Sequence, residues 1–180
     1  PGSIFKGVEK LLPAQWAHWK NGTLSRGFYW ALHYRDRPRE DFAVQSTRFY
    51  TLLRESVARA KGDDAAATFL SGGTDSSTVS GVLKELTGKV TSFSIGFDSD
   101  GFDEMEYARI AGKRFGLDMN EYYVQPADIM EAIPVIASHY DEPFANESAV
   151  PTYFCAKMAA EKGFKVMLAG DGGDEIFGGN

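Results

Sequence analysis

Ser71-Gly72-Gly73-Thr74-Asp75-Ser76-Ser77 stands between the apolar run Ala65 to Leu70 and a helical pattern from about Asp75 to Leu86. An apolar strand that breaks on two glycines and re-enters as a helix opens a βαβ unit. Outward from it the alternation continues: run Val90 to Ile95, helix Glu104 to Phe115, run Glu121 to Val124. Then come a helix Ala127 to Ser138 interrupted at Pro134, a loop Tyr140 to Glu147, a helix Val150 to Lys162 and a run Lys165 to Ala169. This order predicts an α/β fold, an open parallel sheet with helices on both faces. Such sheets bind ligands beyond the carboxyl ends of their strands, so the loops after Leu70 and Ala169 are the candidate site.

Upstream of the alternation, Trp16, Trp19 and Trp30 sit among turn signals at Asn21-Gly22 and Arg26-Gly27, a hairpin-like arm. A charged stretch from Tyr34 to Asp41 reads as a linker, followed by a helical repeat through Phe49, Leu52, Leu53, Ser56, Val57 and Ala60. The expected division is an arm over residues 1–40 and a core domain over 41–180.

Composition narrows the class. With 180 residues, 43% hydrophobic and 24% charged, the chain can bury a full core and is neither disordered nor low in complexity. A net charge of −6 argues against a nucleic-acid surface, and the Phe28-Tyr29-Trp30 cluster without basic neighbours reads as packing. No apolar run reaches the roughly 20 residues of a membrane span, so no membrane partner is expected. The single cysteine, Cys155, allows no internal disulfide and points to a reducing, cytoplasmic setting. It reads as a small buried hydrophobe. His18, His33 and His139 are scattered, and Asp103 is placed to cap the helix after it. Pro1-Gly2-Ser3 and Gly178-Gly179-Asn180 look like the edges of a cut, which makes a fragment the expectation.

The two loops carry the chemistry. In the first, adjacent glycines admit a ligand to the backbone, the serines add donors, and the helix start offers free N–H groups to an anion. Without a following lysine it is not the Walker sequence. A tight, self-capping turn would need only one of these residues. In the second, Gly170-Asp171-Gly172-Gly173-Asp174-Glu175 concentrates carboxylates after an apolar run. Asp75 from one loop and aspartates from the other, with nucleotide phosphates, would suffice for Mg²⁺.

The first loop resembles the Ser-Gly-Gly-x-Asp-Ser pyrophosphate signature of the PP-loop ATP pyrophosphatases, members of the adenine nucleotide alpha hydrolase-like fold. With Asp141-Glu142-Pro143 to Pro151-Thr152-Tyr153 and Gly170 to Gly179, the chain resembles the synthetase domain of glutamine-dependent asparagine synthetases from about Ile4 to Asn180. Gly7 to Pro13 and Tyr29 to Leu32 are similar to the passage out of that family's glutaminase domain.

The resemblance implies a ligase that adenylates an amino-acid carboxylate with Mg-ATP, the aspartate side chain being the first choice. Ammonia from a glutaminase domain missing here then displaces AMP. A β-lactam synthetase or another amidotransferase shares the scaffold, and a fragment that only binds nucleotide is a further alternative, since the family's later lysine has no match. The implied roles are main-chain contacts of Leu70 and Ile95 to adenine, and Ser71, Gly72, Gly73, Asp75, Ser76 and Ser77 around pyrophosphate. Ala169 and Gly170 would lie along ribose and α-phosphate, Asp75 and Asp174 would hold Mg²⁺, and Asp171, with Asp75, would be catalytic. Asp171 stands where some members have glutamate, and Asp118-Met119-Asn120 where many have histidines. A homodimer, driven by an exposed apolar face, is the expected assembly.

Overall fold

Asn21 and Gly22 both take positive φ, 50° and 78°, the backbone of a two-residue turn whose twist suits paired antiparallel strands. They join β1 (Gln15–Lys20) to β2 (Thr23–Phe28). This is a computed structural model describing residues 2–35, 38–98, 103–144 and 146–177; Ala145 of the upstream stretch and Gly178 to Asn180 of the terminal motif lie outside the described residues. The turn expected at Arg26-Gly27 is absent. Gly27 lies within β2 opposite Trp16, and a Cβ there would fall 2.7 Å from the indole, so the glycine makes room for the ring. Phe28, Tyr29 and Trp30 do not pack as expected: they are 58%, 74% and 59% exposed.

Asp41 starts the next segment by accepting a hydrogen bond from the Ala43 N–H at 2.8 Å, capping α1 (Phe42–Lys61). There follow β3 (Ala66–Phe69), α2 (Thr74–Thr87), β4 (Thr91–Phe97), α3 (Met105–Phe115) and β5 (Asp118–Val124). The remainder is α4 (Pro126–His139), α5 (Ala149–Glu161), β6 (Val166–Leu168) and the short α6 (Gly173–Phe177). The four strands from β3 to β6 pair in parallel in the order β5-β4-β3-β6. The chain steps outward from β3 to β5, then returns to place β6 on the other side of β3. The strand order therefore reverses at β3, where such sheets form a crevice.

Helices lie on both faces, so the central strands β3 and β4 bury even their small polar residues Thr68, Ser92 and Ser94. On one face Val57 of α1 and Val82 and Leu83 of α2 meet Leu168, while Met105 and Ala108 of α3 pack under Leu70. On the other, Cys155 and Ala159 of α5 pack on Ala67 and Phe93, and Ala132 of α4 joins Val124 and Phe154.

Two boundaries differ from expectation. α4 runs through Pro134 without a break; the hydrogen bond lost there belongs to the carbonyl of Met130, a residue 71% exposed, so solvent can replace it. β5 begins at Asp118 because, as an edge strand in register with Thr91 of β4, it tolerates polar residues. Among the described residues no helix is long and apolar enough to cross a membrane.

Candidate functional site

The loop between β3 and α2 is held from both ends. Gly72 has φ +90°, and a Cβ on it would fall 2.3 Å from the Tyr107 carbonyl carbon and 2.4 Å from the Ala108 nitrogen. Its glycine is thus demanded by the close approach of α3. Ser71 and Ser76 tie the loop to itself: their hydroxyls lie 2.9 Å apart, and the Ser71 N–H donates to Ser76 Oγ at 3.2 Å. Gly73, the N-cap of α2, is different. Its φ of −65° suits any residue, and an added Cβ would meet only Ser71 Oγ, at 3.4 Å. Protein packing does not require a glycine there; its missing side chain leaves the first N–H groups of a 14-residue helix open.

Asp75 lies half-buried in the first turn of α2, where the helix end favours negative charge. Its carboxylate makes no hydrogen bond or ion pair with any described residue. The loop after β6 is moulded onto it. A Cβ on Gly170 would fall 2.7 Å from Asp75 Cβ and 2.8 Å from the Ser76 nitrogen, and one on Gly173 would fall 2.1 Å from Asp75 Oδ2. Asp171 and Asp75 line one cavity of about 340 Å³ with Ser71, Ser76, Ala169 and Gly170. Asp174 follows Gly173 in the first turn of α6 and is exposed.

A second cavity, of about 260 Å³, opens where β3 ends and β4 continues to Phe97; Leu70 and Ile95 both line it. The Leu70 main chain is partly committed there. Its N–H donates to the Phe93 carbonyl at 3.0 Å and its carbonyl accepts from Ser94 Oγ at 2.6 Å. Phe69, Ser71, Ser148 and Thr152 border both cavities, so the two are continuous past the end of β3. Ser77 is not brought to this wall: it lines neither cavity, and its buried hydroxyl has no partner among the described residues.

Sequence reasoning missed Ser148 and Thr152, hydroxyls one helical turn apart at the start of α5. The available signal was their spacing around Pro151 before an apolar helix. Cys155 lies on the floor of the smaller cavity, and burial pushes its thiol up to about 12, leaving it protonated and unsuited to nucleophilic work. The N-cap of α3 is Glu104, one residue beyond the Asp103 expected there; Asp103 still accepts from the Met105 N–H at 3.2 Å and so steadies the same helix start. Arg109 grips Glu121 through contacts of 2.6–3.2 Å, and that carboxylate raises the already high guanidinium pKa. Among the described residues no group of three or more His, Cys, Asp or Glu side chains could hold a metal ion.

The fold is an open parallel α/β sheet with its crevice at the reversal of strand order. The sequence model of the asparagine synthase family matches residues 48–180, and the chain belongs to that family. It is 32% identical to asparagine synthetase [glutamine-hydrolyzing] 1 of Bacillus subtilis, over 99% of the chain and 28% of that protein. A relative in Methanocaldococcus jannaschii, given a glutamine-hydrolysing asparagine synthetase name provisionally, is 45% identical over 71% of the chain and 25% of its own length. The chain thus spans about a quarter of these relatives. A glutamine-dependent NAD+ synthetase from Acinetobacter baumannii, solved with ADP, superposes with a TM-score of 0.50 at 15% identity, over 81% of the chain and 29% of that protein, a likeness of fold alone.

Proposed function

We propose that the chain forms the nucleotide-binding part of an ATP-dependent amide-forming synthetase, with residues 1–40 as an arm ahead of it. The observation that carries this reading is the fit of Gly170 and Gly173 to Asp75. Two loops distant in sequence are stripped of side chains where they meet, around an unpartnered carboxylate at a helix N-terminus. A turn built only for stability has no need of that arrangement.

The base would occupy the cleft beside Leu70 and Ile95, and the phosphates would lie over Gly73 and the first N–H groups of α2. A carboxylate oxygen of the acid substrate attacks the α-phosphorus, the bond to the bridging oxygen breaks, and pyrophosphate leaves. Ammonia then attacks the acyl carbon, AMP departs with the bonding electrons, and the ammonium loses a proton. Ser71, Ser76 and the backbone at Gly73 would hold the departing phosphates in place, and Asp171, which lines the same cavity, would be the acidic residue beside the adenylation step. Work of this kind is positioning and charge stabilisation.

The donors available suit a hard cation: carboxylate oxygens, with no thiol or imidazole among them. Asp75 and Asp174 are the residues that would hold magnesium, which supplies charge neutralisation on the pyrophosphate as it leaves. The aspartate side chain is the proposed acid, and a glutaminase domain the proposed source of ammonia.

The test is formation of AMP and pyrophosphate by the full-length protein across a panel of amino-acid carboxylates. The expected result is a selective response to aspartate that vanishes in Asp75→Ala. A wild-type rate in Asp75→Ala would remove the metal assignment, and no response to any acid would remove the synthetase reading.

A further inference from the structure

The parallel ladder between β3 and β4 stops one rung early. The Leu70 N–H donates to the Phe93 carbonyl at 3.0 Å, and alternation along β4 then turns the N–H and C=O of Ile95 to the same side. The next rung would run from the Ile95 N–H to the Leu70 carbonyl. It is absent from the backbone bonds of the described residues. That carbonyl instead accepts from Ser94 Oγ at 2.6 Å. Leu70 and Ser94 are each 2% exposed, so the bond is largely shielded from bulk solvent and correspondingly strong. Leu70, Ser94 and Ile95 all line the 260 Å³ cleft.

We propose that Ser94 is a positioning residue for base recognition: by occupying the Leu70 carbonyl, its hydroxyl keeps the last rung open and leaves the Ile95 N–H and C=O facing the cleft. This rests on the nucleotide reading above and adds the group that sets base choice. A backbone N–H and C=O side by side match the ring acceptor and the amino donor on one edge of adenine. Guanine in the same pose sets donor against donor and acceptor against acceptor. With alanine at position 94 the buried Leu70 carbonyl would need another partner, and the Ile95 N–H is the one within the ladder's reach. Closing that rung withdraws the donor from the cleft while leaving the loop at Ser71 to Ser76 untouched.

Affinities for ATP, GTP and magnesium pyrophosphate, measured by calorimetry on wild type, Ser94→Ala and Ser94→Thr, test this. Expected is a loss of about tenfold in ATP affinity for Ser94→Ala, the size of one hydrogen bond. The preference for ATP over GTP narrows with it, pyrophosphate affinity is unchanged, and Ser94→Thr restores the wild-type pattern. Unaltered ATP and GTP affinities in Ser94→Ala overturn the proposal, as does an equal loss for pyrophosphate, which would make Ser94 merely structural. A wild type that binds neither ATP nor pyrophosphate overturns the nucleotide reading itself. Hydrogen exchange on the wild type needs no variant to fold. The Ile95 amide should exchange faster than that of Leu70 and slow when ATP is added; an Ile95 amide already as protected as Leu70 contradicts the open rung.

Discussion

The loop after β3 and the loop after β6 are both glycine-rich, yet their glycines answer different demands. In the first, Gly72 is forced by α3, and the serines bond one another, so the fold itself builds the loop. In the second, Gly170 and Gly173 are forced by Asp75 of the first, while Asp171, Asp174 and Glu175 stay exposed. One loop is a product of the scaffold and the other is a cast of its neighbour. Stability should therefore depend on the first and function on the contact between them.

The largest effect expected is for Gly72→Ala. With φ at +90° and the α3 backbone 2.3 Å from the new Cβ, nothing flexible can yield, and urea unfolding should show a loss of about 3 kcal/mol or more. A loss under about 1 kcal/mol would mean the loop is not braced by α3. Gly173→Ala sharpens the contrast. Its Cβ meets the end of the Asp75 side chain, which can rotate away. Stability should stay within about 1 kcal/mol, while pyrophosphate release falls about 100-fold because the carboxylate is displaced. Equal damage to both properties would erase the distinction between the loops.

Much of this layout was legible in the sequence, for physical reasons. The central strands β3 and β4 are covered on both faces, so the runs Ala65 to Leu70 and Val90 to Ile95 stood out within one or two residues of their bounds. β5 was the exception. As an edge strand it admits Asp118 and Asn120, which hide its first half from any reading of hydrophobicity. The glycines of the first loop were visible as a cluster, but not which of them the protein itself requires; that depends on α3, about thirty residues away. Ser94 was invisible as a site because a serine inside a buried strand carries no local pattern. Gly27 misled for the opposite reason: its local signal is that of a turn, while its actual neighbour is an indole across the hairpin.

Two smaller effects probe regions outside the loops. Cys155, with its thiol held up at about 12 by burial, should not react with a disulfide reagent in the native chain at pH 8 and should react fully in urea. Rapid native labelling would place it in an open wall of the cleft instead. Lys10 of the arm pairs with Glu142 after α4 and holds that carboxyl below its usual range. A lowered folded value means the pair's contribution is complete above the ordinary glutamate pKa and is lost as pH falls through the folded value. A small drop in Tm on that acid side should disappear in Lys10→Met; the Lys10 side chain is 55% exposed and that of Glu142 24%, so solvent screening keeps the effect slight. An identical acid profile in the variant would show that the contact carries no linkage.

If the two loops share one metal–nucleotide group, paramagnetic broadening by Mn²⁺-ATP reads that sharing directly. Amide signals of Ser71 to Ser77 and of Ala169 to Asp174 should disappear together at substoichiometric Mn²⁺-ATP, while those of β1 and β2 persist. Broadening confined to one loop, or spread evenly over the chain, would contradict a common site.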